Sequence, residues 1–273
     1  MQAYSAWTPP TGTLGAIVAE ARDRAALLRP NEAELAESAA SAPPSPSLAG
    51  ALQRETVAVI AEVKRRSPSK GWINPGISAV DQARSYEIGG AAAVSILTEP
   101  AHFGGSVSDL VAVRDSVSIP ALKKDFHVDP IQLVEAKALG ASAALLIARA
   151  LPPDLLVEMI EVARHLALEV IVEIRDDDEL TRALDAGAAI VGINNRNLET
   201  LDIDPATSER LLAQIPQGIV AIAESGVQTR SDVERFARCG ADAVLVGSVL
   251  SASPNPVEAV RQLTGVPRES RGR

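Results

Sequence analysis

Several absences narrow the field before any motif is read. The 273-residue sequence has one cysteine, Cys239, so an intrachain disulfide framework and a thiolate zinc cluster are both excluded. Cys239 precedes Gly240 at an expected helix end and reads as a small core residue, the usual fate of a free cysteine. Aromatic residues make up only 3%, although 47% of the chain is apolar. The core must then be filled by Ala, Val, Ile and Leu, which suits parallel strands buried on both faces. No apolar stretch reaches the roughly 20 residues that span a bilayer. The N-terminus lacks a basic region followed by an apolar block, so no secretory signal is expected and a reducing cytoplasm is the default. Positive charge is scarce as well. With a formal net charge of −9 and no long basic run, a nucleic-acid partner is not expected, and an anionic ligand would need cations gathered locally. His102, His127 and His165 show no metal-ligand spacing; neither a metal nor a cofactor is expected.

What is present is an alternation of two textures. Residues 1–12 read as a flexible tail containing Pro9-Pro10. Leu14, Ile17, Val18, Ala21, Ala25 and Leu28 then form the stripe of an amphipathic helix. Pro30 ends that helix, Asn31 suits the cap of a second over 32–40, and SAPPSPS reads as a linker. From there, short apolar runs recur at 56–64, 91–98, 120–126, 143–148, 169–174, 190–194, 219–224 and 243–247. Amphipathic stretches such as 81–88 and 130–139 separate them. The pair Gly-Ala comes just before a run four times, at Gly90, Gly140, Gly187 and Gly240, as expected of helices that end on a left-handed glycine and turn into a strand. Eight such units predict an α/β fold, a (β/α)8 (TIM) barrel over 51–265 with an N-terminal helical extension over 1–50 and a short tail over 266–273. A doubly wound sheet is the rival, but no G-x-G-x-x-G follows the first strand.

A parallel barrel carries its chemistry at the C-terminal ends of its strands, so polar residues should interrupt the runs there. They do. Glu62 and Lys64 share a face of the first strand, because side chains two apart point the same way. Lys124 closes the third run on the face of Leu122 and Phe126, opposite Lys123 and Asp125. Glu173 closes the fifth, Asn194 and Arg196 the sixth, Glu224, Ser225 and Gly226 the seventh, and Gly247 and Ser248 the eighth. A single charged strand end is usually a solvated residue; five on inward parity are harder to obtain by chance. The cations Lys64, Lys124 and Arg196 complement Glu62, Glu173 and Glu224, and ion pairs among them would keep the lysines charged and oriented. A lysine beside carboxylates can donate a proton to a carbonyl, and a buried carboxylate can accept one. The glycine turns after strands seven and eight suit a phosphate, since backbone N–H groups approach an anion closely there. The long basic loop 65–76 reads as a lid, with Trp72 either over an aromatic substrate or on the rim. Asp176, Asp177 and Asp178 suit a helix start.

The segments AEVKRRSPSKG, SILTEPAHFGGS, LKKDF, ALLIARAL, VEI, GINNRNLETL, AESGV and VLVGSVL, in order over 56–250, closely resemble those of the indole-3-glycerol phosphate synthases. The resemblance implies a cofactor-free reaction of 1-(2-carboxyphenylamino)-1-deoxyribulose 5-phosphate in tryptophan biosynthesis, with loss of carbon dioxide and water. It implies a small phosphorylated aromatic substrate and leaves room for partners among enzymes of the same pathway. By motif, Lys124 resembles the general acid and Glu173 the acid/base of dehydration. Glu62 and Lys64 resemble the orienting pair, and Asn194 the orienter of a hydroxyl. Glu224 and Ser225 fall in the same catalytic set. Ser67, Gly226, Gly247 and Ser248 resemble phosphate contacts, and Phe103, Phe126 and Leu145 an apolar wall; Arg196 joins the binding set. Which lysine gives which proton stays open. Arg66 and Arg149 depart from the family pattern, where smaller residues are frequent. Phosphoribosylanthranilate isomerase would require a cysteine near the first strand, and none is there. The reading from another class is a non-catalytic phosphate-binding barrel acting as a pathway scaffold.

Overall fold

The computed structural model describes residues 7–271. The forepiece comprises helices α1 (Gly12–Leu28), α2 (Glu32–Ser41) and α3 (Leu48–Leu52). Then come strands β1 (Ala58–Val63), β2 (Arg66–Ser67) and β3 (Gly71–Trp72), and helix α4 (Ala79–Ile88). Strand β4 (Ala93–Leu97) leads to α5 (Pro100–Phe103) and α6 (Val107–Arg114), β5 (Ala121–Lys124) to α7 (Pro130–Ala138), and β6 (Ala143–Ile147) to α8 (Pro153–His165). Strand β7 (Glu169–Ile174) leads to α9 (Asp177–Asp185), β8 (Ile190–Asn194) to α10 (Ala206–Leu212), and β9 (Val220–Glu224) to α11 (Arg230–Arg238). The last are β10 (Ala243–Val246), α12 (Ser248–Ser251) and α13 (Pro256–Arg261). Eight strands form a closed parallel barrel in the order β1-β10-β9-β8-β7-β6-β5-β4, so the (β/α)8 expectation holds strand for strand; β2 and β3 make a separate antiparallel ribbon in the first loop. Among the described residues no helix is long and apolar enough to cross a membrane.

The Gly-Ala repeat has the physical basis expected of it. Gly90, Gly140, Gly187 and Gly240 lie at φ of 96°, 77°, 83° and 87°. In each unit the following alanine N–H returns to a carbonyl five residues back: Ala91 to Tyr86, Ala141 to Ala136, Ala188 to Ala183 and Ala241 to Phe236, each at 3.0 Å. That 6→1 bond satisfies carbonyls the helix leaves free and aims the chain back into the barrel. After α8 the same bond joins Leu168 to Ala163, with Ala167 in the left-handed position at φ 48°. Helix starts are equally local: Ser78, Asp129, Asp176 and Thr229 each accept a backbone N–H of the helix they cap. The interior is filled by small aliphatic side chains, with Tyr86 and Phe236 as its fully buried aromatics.

The forepiece runs from mouth to floor. Leu14, Ile17, Val18, Ala21 and Ala25 bury the expected stripe of α1. Pro30 sits in a 3₁₀ turn that joins α1 to α2, and Asn31 occupies the cap position without a side-chain cap bond, because that turn already satisfies the helix start. The linker continues into α3, where Glu169 at the base of β7 accepts from Leu48 N at 2.5 Å, Ala49 N at 3.0 Å and Ser47 Oγ at 2.8 Å. Of the expected N-terminal tail, residues 1–6 lie outside the described residues, whereas Trp7, Thr8 and Thr11 are hydrogen-bonded to the barrel rim. The chain's other end lies at the base: Val57 N donates to Val266 O, and Arg268 N to Glu55 O. Cys239 is only partly buried, because it follows α11 at its C-cap, beyond the helix's buried face.

Candidate active site

Strand register sets the polar residues around one ring at the barrel mouth. Glu62 pairs in register with Ser95, Lys124 with Leu97, Glu173 with Ile147, and Asn194 with Glu224. All fifteen residues singled out in the sequence line one cavity of about 400 Å³, together with Leu14 and Ile17 of α1. The apolar side is formed by Phe103, Phe126 and Leu145, the two rings tilted at 36° with centroids 6.1 Å apart. Gly226, Gly247 and Ser248 follow the ends of β9 and β10 and border the same cavity as Ser67, with Gly247 close to the Lys64 ammonium.

Charge pairs off around the ring. Lys64 Nζ lies 2.5 Å from Glu62 Oε1, and Lys124 Nζ lies 3.2 Å from Glu173 and 3.3 Å from Glu224. Burial works against the charged Lys124 ammonium, but the carboxylates of Glu224, Glu173 and Glu62 outweigh it and raise its pKa. Burial pushes Glu224 the other way for an acid, up to about 7, with Glu173 and Glu62 adding to the rise against the pull of Lys124. Glu224 Oε1 is buried and has no hydrogen-bond partner among the described residues. Asn194 Nδ2 donates to Glu173 Oε1 at 2.9 Å, while the Arg196 N–H donates to Asn194 Oδ1, which fixes the amide's orientation. Glu173 thus receives Lys124 on one oxygen and Asn194 on the other. Arg196 departs from the expected ion pairing: its guanidinium donates to the Leu201 carbonyl at 2.8 Å, and burial lowers its pKa.

Several supports, Gly247 apart, were not singled out by sequence, and the room Gly247 leaves for a carboxylate was not foreseen. A Cβ at Gly192 would fall 2.1 Å from Glu224 Oε1, and one at Gly247 2.4 Å from Glu62 Oε1, so both glycines make room for carboxylates. A glycine inside an otherwise β-branched strand was the available signal for Gly192. Ser251 Oγ donates to the Glu62 carbonyl and accepts the Lys64 N–H, and Tyr86 donates to the same carbonyl at 3.2 Å. Behind Lys124 lies a second charged cluster. Lys123, 1% exposed, is 3.0 Å from Glu135, and Asp125 accepts from Thr98 and from Arg24 of α1. Burial and the adjacent Lys123 push His127 down to about 3, and its ring bonds the Leu145 carbonyl.

In the first loop Lys70 faces the cavity, whereas Trp72 is 59% exposed on the rim under the Arg66 guanidinium, 5.6 Å from the ring centroid. The rim reading of Trp72 is the one the structure adopts. Glu20, Glu99 and His102 cluster closely enough for a cation. The Glu99 carboxylate, however, already accepts Ala101, His102 and Phe103 N–H and pairs with Arg24.

The model of the family described as indole-3-glycerol phosphate synthase matches residues 14–263. The chain belongs to that family. Among its relatives, the indole-3-glycerol phosphate synthase of Kineococcus radiotolerans is 49% identical over 243 residues, covering 89% of this chain and 82% of its own. That of Streptomyces griseus is 49% identical over 230 residues, covering 84% and 86%. Indole-3-glycerol phosphate synthase 2 of Streptomyces coelicolor is 42% identical over 257 residues, covering 93% and 100%. Among solved structures, a thiamine phosphate pyrophosphorylase from Pyrococcus furiosus superposes with a TM-score of 0.57 at 15% identity over 76% of this chain and 93% of that one, a likeness of fold alone.

Proposed function

We propose that this member of the indole-3-glycerol phosphate synthase family closes the ring of 1-(2-carboxyphenylamino)-1-deoxyribulose 5-phosphate, releasing carbon dioxide and water to give indole-3-glycerol phosphate. The observation that carries the reading is Lys124, held as an ammonium between Glu173 and Glu224 beside an apolar wall. The ammonium protonates the ketone as the aryl carbon attacks it, and the wall of Phe103, Phe126 and Leu145 receives the ring. Carbon dioxide then leaves and restores aromaticity. Glu173, with both oxygens bonded, suits the proton transfers of dehydration, and Asn194 orients the hydroxyl that departs.

Lys64, oriented by Glu62, offers a cation to the substrate's carboxylate or phosphate. Ser67, Gly226, Gly247 and Ser248 offer the phosphate hydroxyls and glycine backbone, with Ser225 beside them and Arg196 bordering the cavity. Ser225 at φ 65° and Gly226 at φ 87° make the sharp turn that brings this segment to the cavity. The same reading makes the chain a cytoplasmic enzyme of tryptophan biosynthesis. No observation favours a scaffold without chemistry. The test is direct: supply the carboxyphenylamino-deoxyribulose phosphate and follow indole fluorescence. Folded protein that yields no product would sink the proposal.

A further inference from the structure

Residues 7–11, ahead of α1, lie against loop 195–203 and are held there by two side chains to which the reaction assigns no role. Arg149, just after β6, donates from Nη1 to the Thr8 carbonyl at 2.6 Å and from Nη2 to Glu199 Oε1 at 2.9 Å. Trp7 Nε1 donates to the Arg149 carbonyl at 3.3 Å, and Glu199 Oε1 also accepts the Thr11 N–H at 2.8 Å. Gly12 has φ 58°, and a Cβ there would stand 2.9 Å from the Glu199 carbonyl oxygen, so strap and loop touch backbone to backbone. Both sides of this joint carry cavity wall. The strap leads into Leu14 and Ile17, and the loop holds Arg196, Leu198 and Leu201.

We infer that Arg149 and Glu199 are positioning residues, a clasp that seats the strap and thereby the apolar roof of the substrate cavity. The inference rests on the synthase reading for what the cavity holds. A guanidinium fork is suited to two acceptors set side by side, and here one belongs to the strap and the other to the loop. Both side chains are about a quarter exposed, so the pair is partly shielded from solvent and salt. The other polar moorings lie further along: Glu20 on His102, Arg24 on Asp125 and Glu99, and, just past the helix end, Arg29 on Asp129. The clasp therefore governs the first turn of the helix. Leu14 on that turn borders both the main cavity and a smaller side pocket that reaches Glu173 and Asn194. Leu14 and Ile17 make apolar contacts that serve the ground state and the transition state alike. Loosening them raises KM and leaves kcat nearly alone.

The experiment compares the full chain with Arg149→Ala, Arg149→Lys, Glu199→Ala, a chain lacking residues 1–10, and that shortened chain carrying Arg149→Ala. Expected is a rise in KM of about fivefold for Arg149→Ala and Glu199→Ala with kcat within twofold, and a smaller rise for Arg149→Lys. In the shortened chain Arg149→Ala should add nothing further, because the strap it holds is gone. Independently of turnover, Trp7 emission in a Trp72→Phe background should shift to the red when Arg149 is replaced. An unchanged KM, an unshifted Trp7 emission, or an equal KM rise with and without the strap would each overturn the clasp. A parent chain that turns over no substrate counts instead against the synthase reading, and the Trp7 emission still decides the clasp.

Discussion

At the scale of single residues, two alanine-sized decisions bracket the chemistry. Lys124 stands between two buried carboxylates, so Lys124→Ala removes both the proton donor and the charge that offsets the repulsion between those acids. A general acid acts mainly in the transition state; kcat is expected to fall by about 10³ with only a modest change in KM. Steady-state kinetics with the ring-closure assay checks this, and activity surviving within a few-fold would move the acid to Lys64. The second decision is Ala167, which takes at φ 48° the position that glycine fills in four sister units. An L-residue with a Cβ is strained there, and glycine is not. Ala167→Gly should therefore stabilise the protein by about 0.5–1 kcal/mol, read as a higher denaturant midpoint; a lower midpoint would show that unfolded-state entropy dominates instead.

At the scale of elements, mouth and floor separate function from stability. Glu169 is a strand residue that caps a helix of the forepiece, taking two backbone N–H groups and the Ser47 hydroxyl. Its replacement by alanine should cost about 1–2 kcal/mol of stability and leave kcat unchanged, because nothing at the base of the barrel meets substrate. A thermal melt paired with turnover tests the separation. The eight barrel strands and the helices α1, α2, α4 and α7 were legible in sequence to within a residue or two, for a physical reason, whereas α3 and the β2–β3 ribbon were not. Buried parallel strands are short aliphatic runs, and left-handed Gly residues punctuate them locally. The mouth was legible because polar residues ending apolar strands have few other places to point. The supports were not. Arg149 meets Thr8 across 141 positions of chain, and nothing local in either residue announces the contact. Gly192 shows in sequence only as an interruption, since the carboxylate it accommodates comes from the neighbouring strand.

At the scale of the whole molecule, the buried ring ties stability to pH. Glu224 in the folded protein titrates at about 7, against an ordinary 4.5. Between those values the folded state holds a proton that the unfolded chain has released. That contribution to stability is complete below about pH 4.5 and is lost as pH rises through 7. Glu224→Gln escapes the loss, so its stability relative to the parent should improve from pH 5 to pH 8 by on the order of 3 kcal/mol. Urea unfolding at the two pH values measures the difference, and a flat or opposite trend would mean that Lys124 holds Glu224 ionised throughout.

Closure of the ring between β1 and β10, with the segment after α13 laid beside Glu55 and Val57, has a consequence for biosynthesis. The finished barrel offers no unpaired strand, but a nascent chain that has not yet delivered β10 exposes two hydrogen-bonding edges, one on β1 and one on β9. Until β10 has left the ribosome, the protein is an open sheet in search of a neighbour. A chain ended after Asp242 should therefore sediment as aggregate, where the full chain stays in the supernatant.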